Sequence, residues 1–152
     1  MQKVTILCVG KLKERFYQDA AAEYAKRLGR HCRLELVELP EQRLPDAPTQ
    51  GEIDAALEKE AAAVRERLPR GGALVAMCIE GQLLSSEALS RRLQDFALGG
   101  KSSFGLHPSL KSQADLRLSM SPMTFPHHLA RVMLLEQLYR AFQIQEGTRY
   151  HK

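Results

Sequence analysis

The C-terminal end of the chain carries side chains that could contact a nucleotide. Arg149, Tyr150 and His151 stand directly before Lys152. Nucleobases stack on aromatic rings, and phosphates pair with arginine and lysine, so these residue types suit a nucleotide-binding segment. A basic tail that only meets water is the alternative, and the residue types alone leave both readings open.

A helical segment upstream of this tail adds further charged groups. Glu136 and Arg140 are four residues apart with the acid first, which is the better order for an ion pair within a helix. Arg140 therefore either forms that pair or contacts an anionic substrate. His127 and Arg131 are also four residues apart and share one helical face. The other histidines are expected to be surface or capping residues: His31, His107 and His128.

Three methionines near predicted strand ends could form apolar walls for an adenosine-like ligand: Met77, Met120 and Met123. Ligands of open α/β sheets bind beyond the carboxyl ends of the strands, and small residues there let the backbone approach a ligand. The loops at such positions are Glu80-Gly81, the stretch around Gly105, and "SMSPMTFPHH". Packing in the hydrophobic core is the alternative role for the methionines.

Other site chemistries lack their motifs. The chain contains no G-x-G-x-x-G or P-loop to cradle phosphate, and no G-x-S-x-G for a hydrolase. It has no H-E-x-x-H and no cysteine–histidine cluster, so we expect no metal. The three cysteines lie in or beside apolar runs and show no paired spacing, which favours small, buried, free thiols in a reducing compartment and a cytoplasmic protein.

Composition indicates one globular domain. The chain has 152 residues, 44% of them hydrophobic, and a net charge of +4 that suits a polyanionic partner without proving one. No apolar run reaches the ~18 residues that a membrane span needs. The N-terminal "VTILCVG" reads as a first strand rather than as a signal peptide.

Hydrophobic patterns predict strands alternating with helices, hence an α/β fold with a mostly parallel sheet flanked by helices. The predicted strands are 4–10, 32–40, 73–81 and 116–120, and the predicted helices are 14–28, 52–68, 85–98 and 126–145, with a short helix at 107–113. After the helix that ends near Leu98 another strand is due. The chain has "GGKSSFGLHPSL" instead, in which we predict no strand.

The last predicted helix, from Pro126 to Gln145, is apolar around most of its circumference. A helix of this kind is buried on several sides. In a chain of this size a partner subunit is the natural second cover for such a helix.

Several motifs together resemble one known family. The segments are "LRLSMSPMTFPHHLARVMLLEQLYRAFQIQEGTRYHK", "VTILCVGKLKERFYQDAAAEYAKRLG" and "IEGQLLSSEALS". They resemble the bacterial ribosomal RNA large subunit methyltransferase H family over nearly the whole chain. The most specific motifs are 123–127, Met-Thr-Phe-Pro-His, and 150–152, Tyr-His-Lys.

This resemblance implies a single domain of the SPOUT class, residues 1–152, with a C-terminal trefoil knot. It implies a homodimer that uses S-adenosylmethionine to methylate N3 of a pseudouridine in 23S rRNA of the assembled ribosome. The implied cofactor-binding residues are Met77, Gly105, Met120, Ser121, Pro122, Met123, Thr124 and Phe125. The acceptor N–H must lose a proton, and the candidates for assisting this step are His127, Arg140, Tyr150 and His151. The tail acts either in its own site or across the dimer.

The chain departs from the family near Ser102–Phe104. Relatives carry an apolar strand and a glycine-rich loop before the equivalent of "GLHPSL", and about eight residues of these look absent here. Either the sequence omits a segment that the molecule contains, which we favour, or the deletion is real. A real deletion would remove one wall of the cofactor pocket and favour a catalytically inactive RNA- or ribosome-binding relative.

Overall fold

The computed structural model describes residues 1–105 and 107–151 as an α/β domain built on one five-stranded sheet. The strands are β1 (Lys3–Val9), β2 (Arg33–Leu39), β3 (Ala73–Leu83), β4 (Lys101–Gly105) and β5 (Leu116–Ser119). The helices are α1 (Arg15–Leu28), α2 (Gln50–Arg67), α3 (Ser86–Ala97) and α4 (His127–Gln145), with a 3₁₀ helix at Pro108–Gln113. The strand order is β2-β1-β4-β3-β5, and every pairing is parallel. The predicted fold class is confirmed, whereas the trefoil knot stays a prediction.

Helices cover both faces of the sheet, as a parallel sheet requires. Alternate residues of a strand point to opposite faces, and Val4, Ile6 and Cys8 of β1 join the larger hydrophobic core. That core also contains buried residues of α1, α3 and α4. Leu7 faces the other way and joins a smaller core with Val64 of α2. The molecule therefore has three layers, with the sheet in the middle.

The prediction that no strand follows α3 is wrong. β4 lies between β1 and β3, with Ser102 opposite Val4 and Phe104 opposite Ile6. Both Ser102 and Ser103 are buried, and the amide of Gln2 donates to the Ser102 hydroxyl over 2.8 Å. Serine side chains are small enough to be buried at this central position. They do not, however, form the apolar run by which a buried strand is recognised in a sequence. The absence of about eight residues near this strand stays a prediction.

A bulge interrupts the pairing of β3 with β5. Met77 and Gln82 both pair with Leu118, so residues 78–81 leave the ladder. A Cβ atom on Gly81 would lie 2.8 Å from the carbonyl carbon of Arg117, which explains why a glycine stands there. The predicted strand end at Gly81 is therefore corrected, because β3 continues to Leu83 beyond the bulge.

α4 begins at His127, with Pro126 as its N-cap, in agreement with the predicted start. Its buried residues include Leu134, Leu135 and Leu138, which belong to the larger core. The buried guanidinium of Arg131 donates to Glu38 over 2.7 Å and to the Gly10 carbonyl over 3.0 Å. Arg131 thus ties α4 to the ends of β1 and β2.

Candidate active site

A cavity of about 280 Å³ lies where β3 and β5 end, beside the first turn of α4. This volume is near the lower end of the range for small-molecule sites, roughly 300–1,000 Å³. The cavity's lining includes seven predicted site residues: Met77, Met120, Ser121, Met123, Thr124, Phe125 and His127. We call it the methionine cavity.

The loop between β5 and α4 is shaped by its own serines. The Ser119 hydroxyl donates to the Ser121 carbonyl over 3.0 Å, and the Ser121 hydroxyl accepts from the Met123 amide over 3.0 Å. Such short-range bonds hold a loop in tight turns without regular secondary structure. These bonds hold the loop in the conformation in which Thr124 and Phe125 line the cavity.

Two predicted cofactor-binding residues do not line this cavity. Pro122 is exposed in the loop between β5 and α4. Gly105 is buried at the end of β4, where an added Cβ would lie 1.8 Å from the Cδ1 atom of Leu110. The close approach of the 3₁₀ helix is therefore a packing reason for this glycine, and a role for either residue in cofactor binding stays a prediction.

His107 lines the cavity and was not predicted as a site residue. Its Nδ1 accepts a hydrogen bond from the Ser109 amide over 3.2 Å and caps the 3₁₀ helix, so the capping role is confirmed. The alternative of a surface position is wrong, because the residue is only 6% exposed. Burial, and then the charge of Arg65, lower the pKa of His107, which favours the neutral ring.

A charged pair stands at the edge of the methionine cavity. The Lys111 ammonium donates to the Glu80 carboxylate, and both residues line the cavity. The hydrogen bond from Lys111 lowers the pKa of Glu80. Cys78, which stands in the same bulge as Glu80, is half-buried and contributes its thiol to the wall. The cavity therefore combines an apolar interior with one opposite-charge pair at its edge.

The other three candidate catalytic residues meet elsewhere, in a group that we call the tail cluster. The Arg140 guanidinium donates to the Glu136 carboxylate over 2.6 and 3.0 Å, which confirms the predicted ion pair. The Tyr150 hydroxyl donates to the same carboxylate over 3.2 Å, and Arg140 lies over the Tyr150 ring at 4.8 Å. His151 lies 3.2 Å from Arg140 through Nδ1 and 2.7 Å from Glu87 through Nε2.

These contacts determine what each member of the tail cluster can do with a proton. A guanidinium only donates, so Nδ1 of His151 accepts from Arg140 and its Nε2–H donates to Glu87. Burial and the charge of Glu136 raise the pKa of Tyr150 to about 12, which keeps its hydroxyl protonated near neutral pH. The cluster therefore presents a fixed cation, whereas the Tyr150 proton is engaged by Glu136 and the Nδ1 lone pair of His151 is engaged by Arg140.

Of the described residues, those of the tail cluster do not line the methionine cavity. A second cavity, of about 500 Å³, runs along α4 and is lined by Glu136 of the tail cluster. Leu118, Ser119 and Met120 line both cavities. Of the four candidate catalytic residues, His127 is the one that lines the methionine cavity. Within one chain, then, the structure does not bring all four together.

Sequence reasoning did not identify Glu87 or Tyr24 near the tail cluster. Glu87 stands in the first turn of α3, 64 residues from His151 in sequence. Tyr24 of α1 raises the pKa of Tyr150 and lines the second cavity. Neither contact has a local pattern, because each depends on how α1 and α3 pack against α4.

Within residues 1–105 and 107–151, no group of histidine, cysteine, aspartate and glutamate side chains is arranged to hold a metal ion. The helices in this part of the chain are too short or too polar to cross a bilayer.

Comparison with known proteins defines the class to which this fold and site belong. Residues 2–151 match the family model described as "Predicted SPOUT methyltransferase", and the chain belongs to that family. Among its curated relatives are proteins named Ribosomal RNA large subunit methyltransferase H. Those of Acetivibrio thermocellus and Bifidobacterium adolescentis are 42% identical to the chain, and that of Streptococcus suis is 40% identical. Each alignment covers 99% of both chains, so the resemblance found in the sequence is confirmed.

These alignments extend over 158 residues, although the chain itself has 152. An alignment longer than the chain contains gaps in that chain. The relatives therefore carry residues that have no counterpart here, which is consistent with a shortened segment.

Proposed function

We propose that this protein transfers a methyl group from S-adenosylmethionine to N3 of a pseudouridine in 23S rRNA of the assembled ribosome, in the cytoplasm. The observation that carries the proposal is the methionine cavity, which a SPOUT methyltransferase chain forms at the carboxyl ends of its strands. The names of the curated relatives supply the rRNA substrate.

The cavity's residues suit an adenosine-containing methyl donor. Met77 and Met120 give polarizable apolar walls of the kind that adenine packs against. The charged Lys111–Glu80 pair suits the amino and carboxylate groups at the other end of such a ligand. When bound, S-adenosylmethionine supplies an electrophilic methyl group. The residues of the loop from Met120 to Phe125 would hold it and keep water away.

The tail cluster is suited to the acceptor base. N3 of the base must lose its proton, to His127 of the methionine cavity or to water, before it attacks, and this leaves a negative charge on the base. The Arg140 cation, whose pKa is raised by Glu136, can stabilise that charge. The Tyr150 hydroxyl can donate to a carbonyl oxygen of the base if it exchanges its present acceptor, Glu136, for that oxygen. Arg149 adds positive charge for a neighbouring phosphate.

We further propose that the active form is a homodimer and that the tail of one copy completes the site of its partner. The second cavity exposes Val132 and Met133 of α4 together with Leu84, which provides an apolar surface that a second copy can cover. In a single chain the residues of the tail cluster do not line the methionine cavity. A second copy can bring one chain's tail cluster to the other chain's methionine cavity.

The proposed function predicts methylation of ribosomes that lack this modification. The purified protein, labelled S-adenosylmethionine and such ribosomes are incubated together, and nucleoside digests of 23S rRNA are analysed by mass spectrometry. We expect one added methyl group on one pseudouridine. Deletion of Tyr150, His151 and Lys152 should abolish turnover but leave the dissociation constant for S-adenosylmethionine unchanged.

The deletion variant separates the two parts of the proposal. Unchanged turnover without the tail would contradict its catalytic role. If the intact protein neither binds S-adenosylmethionine nor methylates these ribosomes, then the enzymatic function is wrong. The chain would instead be an inactive relative, for which ribosome binding without turnover is the expected finding.

A further inference from the structure

His107 carries a buried hydrogen-bond donor for which the described part of the chain supplies no acceptor. The Ser109 amide can only donate, so Nδ1 of His107 is the acceptor in their 3.2 Å contact. A neutral imidazole that accepts at Nδ1 carries its proton at Nε2. Among the described residues, the Nε2 atom is buried and has no hydrogen-bond partner. The ring therefore presents an unsatisfied N–H group.

The position of this donor is unusual for a structural residue. His107 is 94% buried, being 6% exposed, and it lines the methionine cavity. A buried N–H without an acceptor costs free energy, and native proteins rarely retain one without a reason. An acceptor on a bound ligand would remove that cost.

The rest of the cavity indicates which part of a ligand meets this donor. Lys111 and Glu80 form a charged pair, and a charged ligand group is best placed near that pair. The walls formed by Met77, Leu118 and Phe125 are apolar and suit an uncharged aromatic ring. A neutral N–H donor among apolar walls is matched by a neutral acceptor, such as a ring nitrogen of a heterocycle.

We propose that the Nε2–H group of His107 donates a hydrogen bond to a ring nitrogen of the adenine of the bound methyl donor. This inference rests on the proposed function and identifies the N-cap side chain of the 3₁₀ helix as part of its cofactor site. His107 thereby has two roles. Its Nδ1 caps the 3₁₀ helix, and its Nε2 helps to select the nucleobase.

The two roles can be separated by the choice of substitution. Asparagine is a good N-cap residue whose side-chain oxygen can accept from the Ser109 amide as Nδ1 does, but it has no donor at the Nε2 position. His107→Asn therefore retains the cap and removes the proposed contact, whereas His107→Ala removes both. Isothermal titration with S-adenosylhomocysteine, which has the same adenosine group, measures the effect. We expect His107→Asn to bind about 3- to 10-fold more weakly than the wild type, as for the loss of one neutral hydrogen bond.

Ligand analogues test the same contact by changing the ligand instead of the protein. The 1-deaza, 3-deaza and 7-deaza forms of S-adenosylhomocysteine each replace one ring nitrogen by CH. We expect one of the three analogues to bind the wild type about 3- to 10-fold more weakly than S-adenosylhomocysteine does. We also expect that loss to disappear with His107→Asn, because the donor is already gone.

The outcomes distinguish this inference from the proposed function. Equal binding by the wild type and His107→Asn, or a deaza loss that persists in the variant, overturns the inference and leaves the proposed function standing. If all three analogues bind the wild type as tightly as the parent ligand, the inference is also overturned. If the wild type binds neither S-adenosylmethionine nor S-adenosylhomocysteine, both are overturned.

Discussion

Cys8 and Cys32 show how burial alone changes the chemistry of a side chain in this molecule. Both thiols are buried, and burial raises the pKa of each from 9.0 to about 11. Arg131 partly opposes this shift at Cys8. The sequence predicted small buried thiols from their apolar neighbours, and that prediction is confirmed for these two residues.

The shifted thiol pKa values predict a loss of stability at alkaline pH. The unfolded thiols release their protons near pH 9, whereas the folded ones hold them until about pH 11. The unfolded state thus binds fewer protons in this window, and the free energy of unfolding falls as pH rises through it. The loss should be on the order of 2 kcal/mol per thiol by about pH 10.5.

Urea unfolding at several pH values between 8 and 10.5 measures this effect. A Cys8→Ala/Cys32→Ala double variant should show a shallower decline, although its stability at pH 7 is lower. Between pH 6 and 8 the difference between the two proteins should stay constant, which serves as the internal control. A parallel decline of both proteins above pH 9 would contradict the assignment to these thiols.

Among the elements, β3 shows most directly how an irregularity shapes the site. Residues 78–81 leave the ladder between Met77 and Gln82, and residues 78–80 form part of the cavity wall. Gly81 permits this because its Cα approaches the backbone of Arg117 and Leu118 too closely for a side chain. β-bulges are common beside binding sites, where they redirect side chains.

Gly81→Ala should therefore damage both the bulge and the cavity. The added Cβ would lie 2.8 Å from backbone atoms, so the strands must separate locally. We expect a loss of about 1–3 kcal/mol in the free energy of unfolding and weaker binding of S-adenosylmethionine.

Gly51→Ala is the matched control, since that glycine lies in α2 with only the Thr49 hydroxyl near, at 3.9 Å. Because Gly51 is only the second residue of α2, this substitution should change the free energy of unfolding by less than about 0.5 kcal/mol and leave binding unchanged. If the two substitutions have equal effects in denaturant and binding titrations, the close backbone approach at Gly81 does not explain the need for glycine there.

The elements also show what sequence patterns can and cannot reveal. β1, β2 and α4 were predicted within one or two residues, because their apolar residues follow regular periods. β4 was missed because Lys101, Ser102 and Ser103 form no apolar run, although the strand is central. The β3 bulge and the position of Glu87 beside His151 depend on pairing and packing between distant segments, which no local pattern encodes.

At the scale of the whole molecule, α4 connects the two candidate parts of the active site. Its first turn carries His127 to the methionine cavity, and Glu136 and Arg140 farther along build the tail cluster. A single helix holds these groups at a fixed separation along its axis, 1.5 Å per residue. Bending α4 would disrupt its packing on α1 and α3, so it offers no easy way to bring them together. The proposed homodimer would bring them together without such a change.

This arrangement predicts that two inactive chains complement each other. A Met77→Lys variant places a charge in the apolar cavity and should not bind S-adenosylmethionine, whereas a variant without residues 150–152 lacks the tail. The two chains are co-expressed with different tags, and the heterodimer is isolated by two affinity steps. If the tail serves the partner's cavity, the heterodimer contains one complete site and should regain about half of the wild-type turnover. Each homodimer, purified in parallel and checked for folding by circular dichroism, should stay inactive. A heterodimer as inactive as its parents would show that each tail completes the site of its own chain.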